Sequence, residues 1–261
     1  MKKIAICGKG GSGKSITTSL LSLGIRRRGK KVLVIDADES NPGLHRMLGF
    51  KEPPEPLIDY VGGKAVLEKK IQEKMKSGIP EEKVNIWTKA VSIAEIPPDF
   101  IKVRDGISFT TIGKIYMALE GCACPMGIVS RSFLNELILE PDEIALIDME
   151  AGIEHFGRGV ETGTDCVLVV VEPSRDSLDV ALKVKQMSDQ IDIGDTWAIL
   201  NKVPSEDIAR RITDELAQEG LNVIGSINFD KEIFEICLTG GSFPQDKVNE
   251  GIEDVLDHLF P

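Results

Sequence analysis

Six short apolar runs punctuate the chain: Ile4–Cys7, Val32–Ile35, Ile144–Met149, Cys166–Val171, Trp197–Leu200 and Val223–Ile227. Between them apolar positions recur at helical spacing. Near-continuous apolar strands separated by helices predict a parallel sheet covered on both faces. The expected fold class is therefore α/β and doubly wound, with ligands at the carboxyl ends of the strands. From residue 53 to 113 the pattern weakens into a charged helix (Lys64–Lys76), an elbow at Pro97-Pro98 and a strand near Ile107–Ile112. The last helix, Ile252–Phe260, puts Ile252, Val255, Leu256 and Leu259 on one face. Its polar side carries Glu253, Asp254 and Asp257, where a membrane-surface helix would carry lysine and arginine. Packing on the sheet is expected instead.

At 261 residues, with 42% hydrophobic and 28% charged positions, the composition is that of a folded globular chain. One domain spanning residues 1–261 is expected. The net charge of −11 opposes attachment to DNA phosphates or an anionic membrane, so neither nucleic acid nor membrane is expected as a partner. The basic run Arg26-Arg27-Arg28-Gly29-Lys30-Lys31 reads as a cap on the negative end of the preceding helix. No stretch approaches the ~20 apolar residues needed to span a bilayer, and a cytoplasmic location is expected. Five cysteines, an odd number in a reducing compartment, point to metal ligation or buried thiols rather than disulfides.

The chemistry starts at Gly8-Lys9-Gly10-Gly11-Ser12-Gly13-Lys14-Ser15, between the first strand and the first helix. The pattern G-x-x-x-x-G-K-[ST] in that context cradles nucleotide phosphates on backbone N–H groups from Gly10 to Ile16. Lys14 is sent to the outer phosphates and the Ser15 hydroxyl to Mg²⁺. ATP and Mg²⁺ are the expected cofactors and ATP hydrolysis the expected activity. Ile144–Asp148 is an apolar strand ending in an acid; paired with the loop, it makes Asp148 a Mg²⁺ ligand through water. Asn201-Lys202 closes a later strand, where such folds read the base. A guanine reader would need Asp at position 204, which is Pro204. Adenine is favoured, with Asn201 as its contact.

Lys9 duplicates a charge that Lys14 already supplies. With this second lysine the loop resembles that of the deviant P-loop family, which includes MinD, ParA, the nitrogenase iron protein and the CooC-type nickel-insertion ATPases. The resemblance implies that Lys9 reaches the phosphates of a second chain, so that ATP drives homodimerisation. It also implies, for Asp36-Ala37-Asp38, that Asp38 orients the attacking water while Asp36 lies in the outer shell of the metal. Met149-Glu150-Ala151-Gly152 resembles the segment that answers the γ-phosphate, and Asn228-Phe229-Asp230 the loop that closes over the base, although Asn228 stands where the family has proline. Ile16 replaces a common threonine.

Gly121-Cys122-Ala123-Cys124-Pro125 offers two thiols in a turn. Two chains face to face would supply four, a set suited to Ni²⁺ or Zn²⁺ shared across a two-fold axis. CooC-type proteins carry a similar C-x-C. The resemblance implies nickel delivery to a carbon monoxide dehydrogenase or acetyl-CoA synthase. The other two readings are an iron-sulfur electron-transfer protein and a MinD/ParA-like positioning ATPase. Cys7, Cys166 and Cys237 read as core thiols. His45, His155 and His258 are scattered, with no second metal motif among them, and His155 is expected at the surface.

Overall fold

The computed structural model describes residues 2–80, 83–115, 124–244 and 247–261. The chain opens with β1 (Lys3–Gly8), α1 (Lys14–Arg27), β2 (Lys31–Ala37) and the short turns α2 (Leu44–Met47) and α3 (Leu57–Tyr60). Then come α4 (Gly63–Lys76), β3 (Val91–Ser92), β4 (Lys102–Arg104) and β5 (Ile107–Thr111). The second half runs α5 (Cys124–Glu136), β6 (Leu137–Ile138), β7 (Glu143–Met149), α6 (Glu154–Gly157), β8 (Cys166–Val171) and α7 (Arg175–Gln190). It ends with β9 (Asp195–Val203), α8 (Glu206–Gln218), β10 (Val223–Asn228), α9 (Lys231–Thr239) and α10 (Glu250–Leu259). The six expected strands, the 107–112 strand and both expected helices form within three residues of their anticipated bounds.

Eight strands make one sheet in the order β10-β9-β8-β1-β7-β2-β5-β4, while β3 and β6 form a separate parallel pair. Every pairing in the large sheet is parallel except β4 with β5. Successive side chains of a strand point to opposite faces, and the two cores divide along that alternation. Ala5, Cys7, Leu33, Ile35, Ala145 and Ile147 meet α5, α7 and α8 on one side. Ile4, Ile6, Val32, Val34, Ile144 and Leu146 meet α1, α9 and α10 on the other.

The C-terminal helix packs as expected, with Ile252, Val255 and Leu256 fully buried. Its acids are answered by the basic run at the end of α1: Arg28 bonds Glu253 at 2.8 Å and Asp257 at 2.6 Å. Arg26 and Arg27 occupy the last turn of α1 as capping cations. The helix sits against β10 at two glycines, because a Cβ on Gly251 would lie 2.0 Å from the Ser226 carbonyl oxygen and one on Gly225 2.4 Å from Val255 Cγ2.

This topology gathers the chain's chemistry at the carboxyl edge. Asp36 on β2 is directly opposite Asp148 on β7, and Gly8, at the end of β1, bridges to Gly152.

Candidate nucleotide-binding site

The loop between β1 and α1 folds back on itself through a Ser12 N–H to Lys9 carbonyl bond of 3.1 Å. Gly8, Gly11 and Gly13 hold φ of 142°, 79° and 103°, values that L side chains adopt at a cost. Space is closed as well as conformation: a Cβ on Gly13 would stand 2.1 Å from Asn201 Nδ2, and one on Gly8 2.5 Å from the Val170 carbonyl oxygen. Among the described residues no side chain caps the start of α1, so its first N–H groups and positive dipole end face the loop. Such an array is suited to an anion. Ser12 Oγ is buried there without a hydrogen-bond partner among the described residues. Lys14 is 6% exposed, its Nζ 3.5 Å from the Lys9 carbonyl oxygen.

Beside the loop lies a chain of polar contacts. Asn41 Nδ2 donates to Ser15 Oγ at 2.7 Å, and Ser15 Oγ donates to Asp148 Oδ2 at 2.6 Å. Burial, reinforced by the neighbouring Asp36, raises the Asp148 carboxyl to about 7. Asp36 is raised to about 6, again by burial, although Lys114 opposes the shift through an ion pair of 2.7 Å. Asp38 is 5% exposed, and its Oδ1 accepts from the Ser40 hydroxyl at 2.6 Å and the Ser40 N–H at 2.9 Å. The side chain is thereby fixed at the mouth of the loop. This donor set of one hydroxyl and clustered carboxylates suits a hard divalent ion such as Mg²⁺.

The segment after β7 approaches from the other side. The Gly152 N–H donates to the Gly8 carbonyl at 3.2 Å. Arg158 joins this segment to the one after β2, meeting Glu150 at 2.8 Å and Glu39 at 3.4 Å. Burial lifts Glu39 to about 7. His155 is not a surface residue: it is 2% exposed, with Nε2 3.1 Å from the Gly152 carbonyl and Nδ1 in contact with Glu161. The apolar faces of α6 and the following turn draw Phe156 and Val160 into the core, and the histidine just before Phe156 goes in too.

Lys9 pairs with Glu172 at 3.1 Å, and Lys202 pairs with the other oxygen of that carboxylate at 3.0 Å while also reaching the Gly11 carbonyl. Asn201, Lys202, Ile16, Phe229, Ile233 and Phe234 line a mainly apolar slot next to the loop. Asn201 Nδ2 donates to the Ser12 carbonyl at 2.7 Å, so it ties β9 to the loop as well as lining the slot. Asp230 caps α9 and pairs with Lys247 at 2.8 Å.

The structure thus brings together Lys9, the loop from Gly10 to Ile16, Asp36, Asp38, Asp148 and Asn201. Lys114, Asn41, Glu39, Arg158 and Glu172 escaped the sequence reading. Asn41 had a signal, its place three residues after the D-x-D pair, but an Asn-Pro-Gly stretch reads equally as a turn. Cys122 lies outside the described residues, and Cys124 is described only as the first residue of α5. Cys7 and Cys166 are buried as expected; Cys237 is half-buried, packs against the edge of a core and also borders the apolar slot beside the loop.

Residues 3–243 match the family model of the CobQ/CobB/MinD/ParA nucleotide-binding domain. The chain is 38% identical over 258 residues to an uncharacterized ATP-binding protein of Methanocaldococcus jannaschii, covering 98% of this chain and 97% of that protein. It is 32% identical over 236 residues to the carbon monoxide dehydrogenase accessory protein CooC of Rhodospirillum rubrum, covering 88% and 85%. Among solved structures, the septum site-determining protein MinD of Pyrococcus horikoshii, complexed with Mg-ADP, superimposes with a TM-score of 0.66 at 18% identity, covering 99% of this chain and 96% of that one. Loop, fold and relatives agree: the chain is a P-loop ATP-binding protein of the CobQ/CobB/MinD/ParA nucleotide-binding family.

Proposed function

We propose that the chain is a dimerising MgATPase that delivers nickel to a carbon monoxide dehydrogenase or acetyl-CoA synthase. The observation that carries this reading is the 32% identity to the carbon monoxide dehydrogenase accessory protein over 88% of the chain, in a sequence that also holds the pair Cys122 and Cys124. In this reading the loop N–H groups and Lys14 bind the phosphates, and Ser15 with Asp148 holds Mg²⁺, which neutralises charge on the outer phosphates when bound. Asp36 stays in the outer shell of the metal. Asp38, its carboxylate held by Ser40, orients the attacking water; position and charge supply most of the acceleration in phosphoryl transfer. Asn201 and the slot beside it take adenine.

Lys9 leaves Glu172 to reach the nucleotide of a second chain. That exchange makes dimerisation depend on ATP and brings two Cys122/Cys124 pairs around one Ni²⁺, or Zn²⁺ in its place. Hydrolysis withdraws the anion that Lys9 reached for, and Glu172 recaptures the lysine as the chains part.

The test is metal content of anaerobically purified protein offered Ni²⁺, with and without ATP, against a Cys122→Ser/Cys124→Ser variant. The expected difference between wild type and variant is about one Ni²⁺ per two chains. Iron with acid-labile sulfide in the wild type would make it an electron-transfer protein instead. No difference in metal would leave a positioning ATPase.

A further inference from the structure

Cys7, His155 and Glu161 lie 148 and 6 residues apart in sequence, yet the sheet brings their ligand atoms within 4.8 Å of one another. Cys7 ends the core of β1, one residue before the phosphate loop; His155 sits in α6; Glu161 lies in the 3-10 turn Val160–Gly163. All three are buried, at 0%, 2% and 0% exposure. A thiol, an imidazole and a carboxylate in one dry pocket need compensation for their polarity, and the contacts present are incomplete. Glu161 Oε2 has no hydrogen-bond partner among the described residues.

The histidine's orientation is informative. Its Nε2 is 3.1 Å from the Gly152 carbonyl oxygen, an acceptor only, so Nε2 carries a proton and Nδ1 is the nitrogen turned to Glu161. A backbone carbonyl that fixes the tautomer and aims the other nitrogen at the site is the outer-shell arrangement of metal-bound histidines. Nδ1 and the carboxylate oxygen in contact require a proton or a cation between them.

We propose that Cys7, His155 and Glu161 form a second, structural metal site for a borderline divalent cation, Zn²⁺ in the first place. Cys7 Sγ, His155 Nδ1 and one carboxylate oxygen of Glu161 give three donors of types that zinc takes, and the second oxygen of Glu161 is the group from which a fourth would come. Binding removes the proton from the Cys7 thiol and the one shared by Nδ1 and Glu161; both leave to solvent, and the ion takes their place. Burial, with the nearby Glu161 charge, raises the Cys7 thiol well above its ordinary range. The bound ion fastens the strand that leads into the phosphate loop to the segment after Gly152. This site is independent of the Cys122/Cys124 pair and of the nickel reading.

The experiment uses the Cys122→Ser/Cys124→Ser protein, reduced, loaded with Zn²⁺ or Co²⁺ and desalted. About one metal per chain is expected, with a thiolate-to-cobalt charge-transfer absorption and a higher unfolding temperature in Zn²⁺. Adding Cys7→Ala removes the absorption and the temperature rise and lowers retained metal at least tenfold; Ala fits a buried strand position, so the fold is kept. His155→Gln does the same for metal content. No retained metal, or metal retained equally after Cys7→Ala, would overturn the site and leave a buried His–Glu pair beside a core thiol.

Discussion

Asp148 is fully buried and has Ser15 as its close hydroxyl partner. A charge placed so deep waits for a counter-ion, and its position at the end of β7 brings it within reach of whatever the phosphate loop holds. Asp38 differs: its carboxylate is fixed by Ser40 rather than by a cation, and the role proposed for it is to direct a water. Asp38→Asn should therefore leave ATP affinity within about threefold and lower turnover by ~100-fold or more, since orientation alone is worth that much. Equilibrium binding of a fluorescent ATP analogue beside steady-state hydrolysis would check it; a loss of binding equal to the loss of rate would make Asp38 a ligand-holding residue instead. Asp148 was legible because it ends an apolar run, Asp38 through the resemblance of the Asp36-Ala37-Asp38 pair to the family's, and Lys9 to Ser15 because eight contiguous residues carry the whole motif. Lys114, Glu172 and the Cys7–His155–Glu161 cluster were not. Each is defined by a neighbour more than 70 residues or a whole strand order away, and no spacing in one sequence encodes that.

At the scale of elements, the strands and the long helices were readable from periodicity, because a strand covered on both faces must be apolar throughout. The short β4, with all three residues exposed, and the two-residue β3 and β6 carry no such pattern. The seat of α10 was foreseen from its apolar face but not its closeness to β10. Only glycine at Gly251 and Gly225 lets the helix approach so near. Gly251→Ala drives a methyl group into the backbone of β10, which cannot turn aside as a flexible side chain would. A loss of about 2 kcal/mol or more is expected, a fall of roughly 5 °C in unfolding temperature for a chain of this size. Nucleotide affinity should stay within about twofold. Calorimetry and nucleotide titration would test both halves; unchanged stability would mean that α10 is free to shift outward.

For the molecule as a whole, the carboxyl edge makes stability depend on pH in an unusual direction. Asp36 is raised to about 6, and Asp148 and Glu39 to about 7, so between pH ~4 and ~7 the folded chain holds more protons than the unfolded one. By linkage, the contribution of these groups is fully present below their unfolded values and is lost as pH rises through the folded ones. Paired acids such as Glu172 and Asp230 are shifted downward and act only at more acid pH. Urea unfolding without nucleotide or divalent cation should thus find the protein more stable at pH 5 than at pH 7.5, by a few kcal/mol. Mg²⁺ with nucleotide should remove or reverse the difference. Rising stability over that interval in the bare protein would mean that these carboxylates are solvated. The net charge of −11 adds repulsion as the last of them ionise.

The far border of the sheet carries a consequence of another kind. A long, flat outer strand is an invitation to a neighbouring molecule, and repeated pairing of that sort grows into fibres. Here the outermost strand is β4, reversed in direction, three residues long and flanked by the charges of Lys102 and Arg104. Nothing can extend the sheet there by more than a few hydrogen bonds. In the dimer proposed above, copies of the chain would meet through the rim where Lys9 stands, and an encounter through one self-complementary face closes after two members, leaving no growing end.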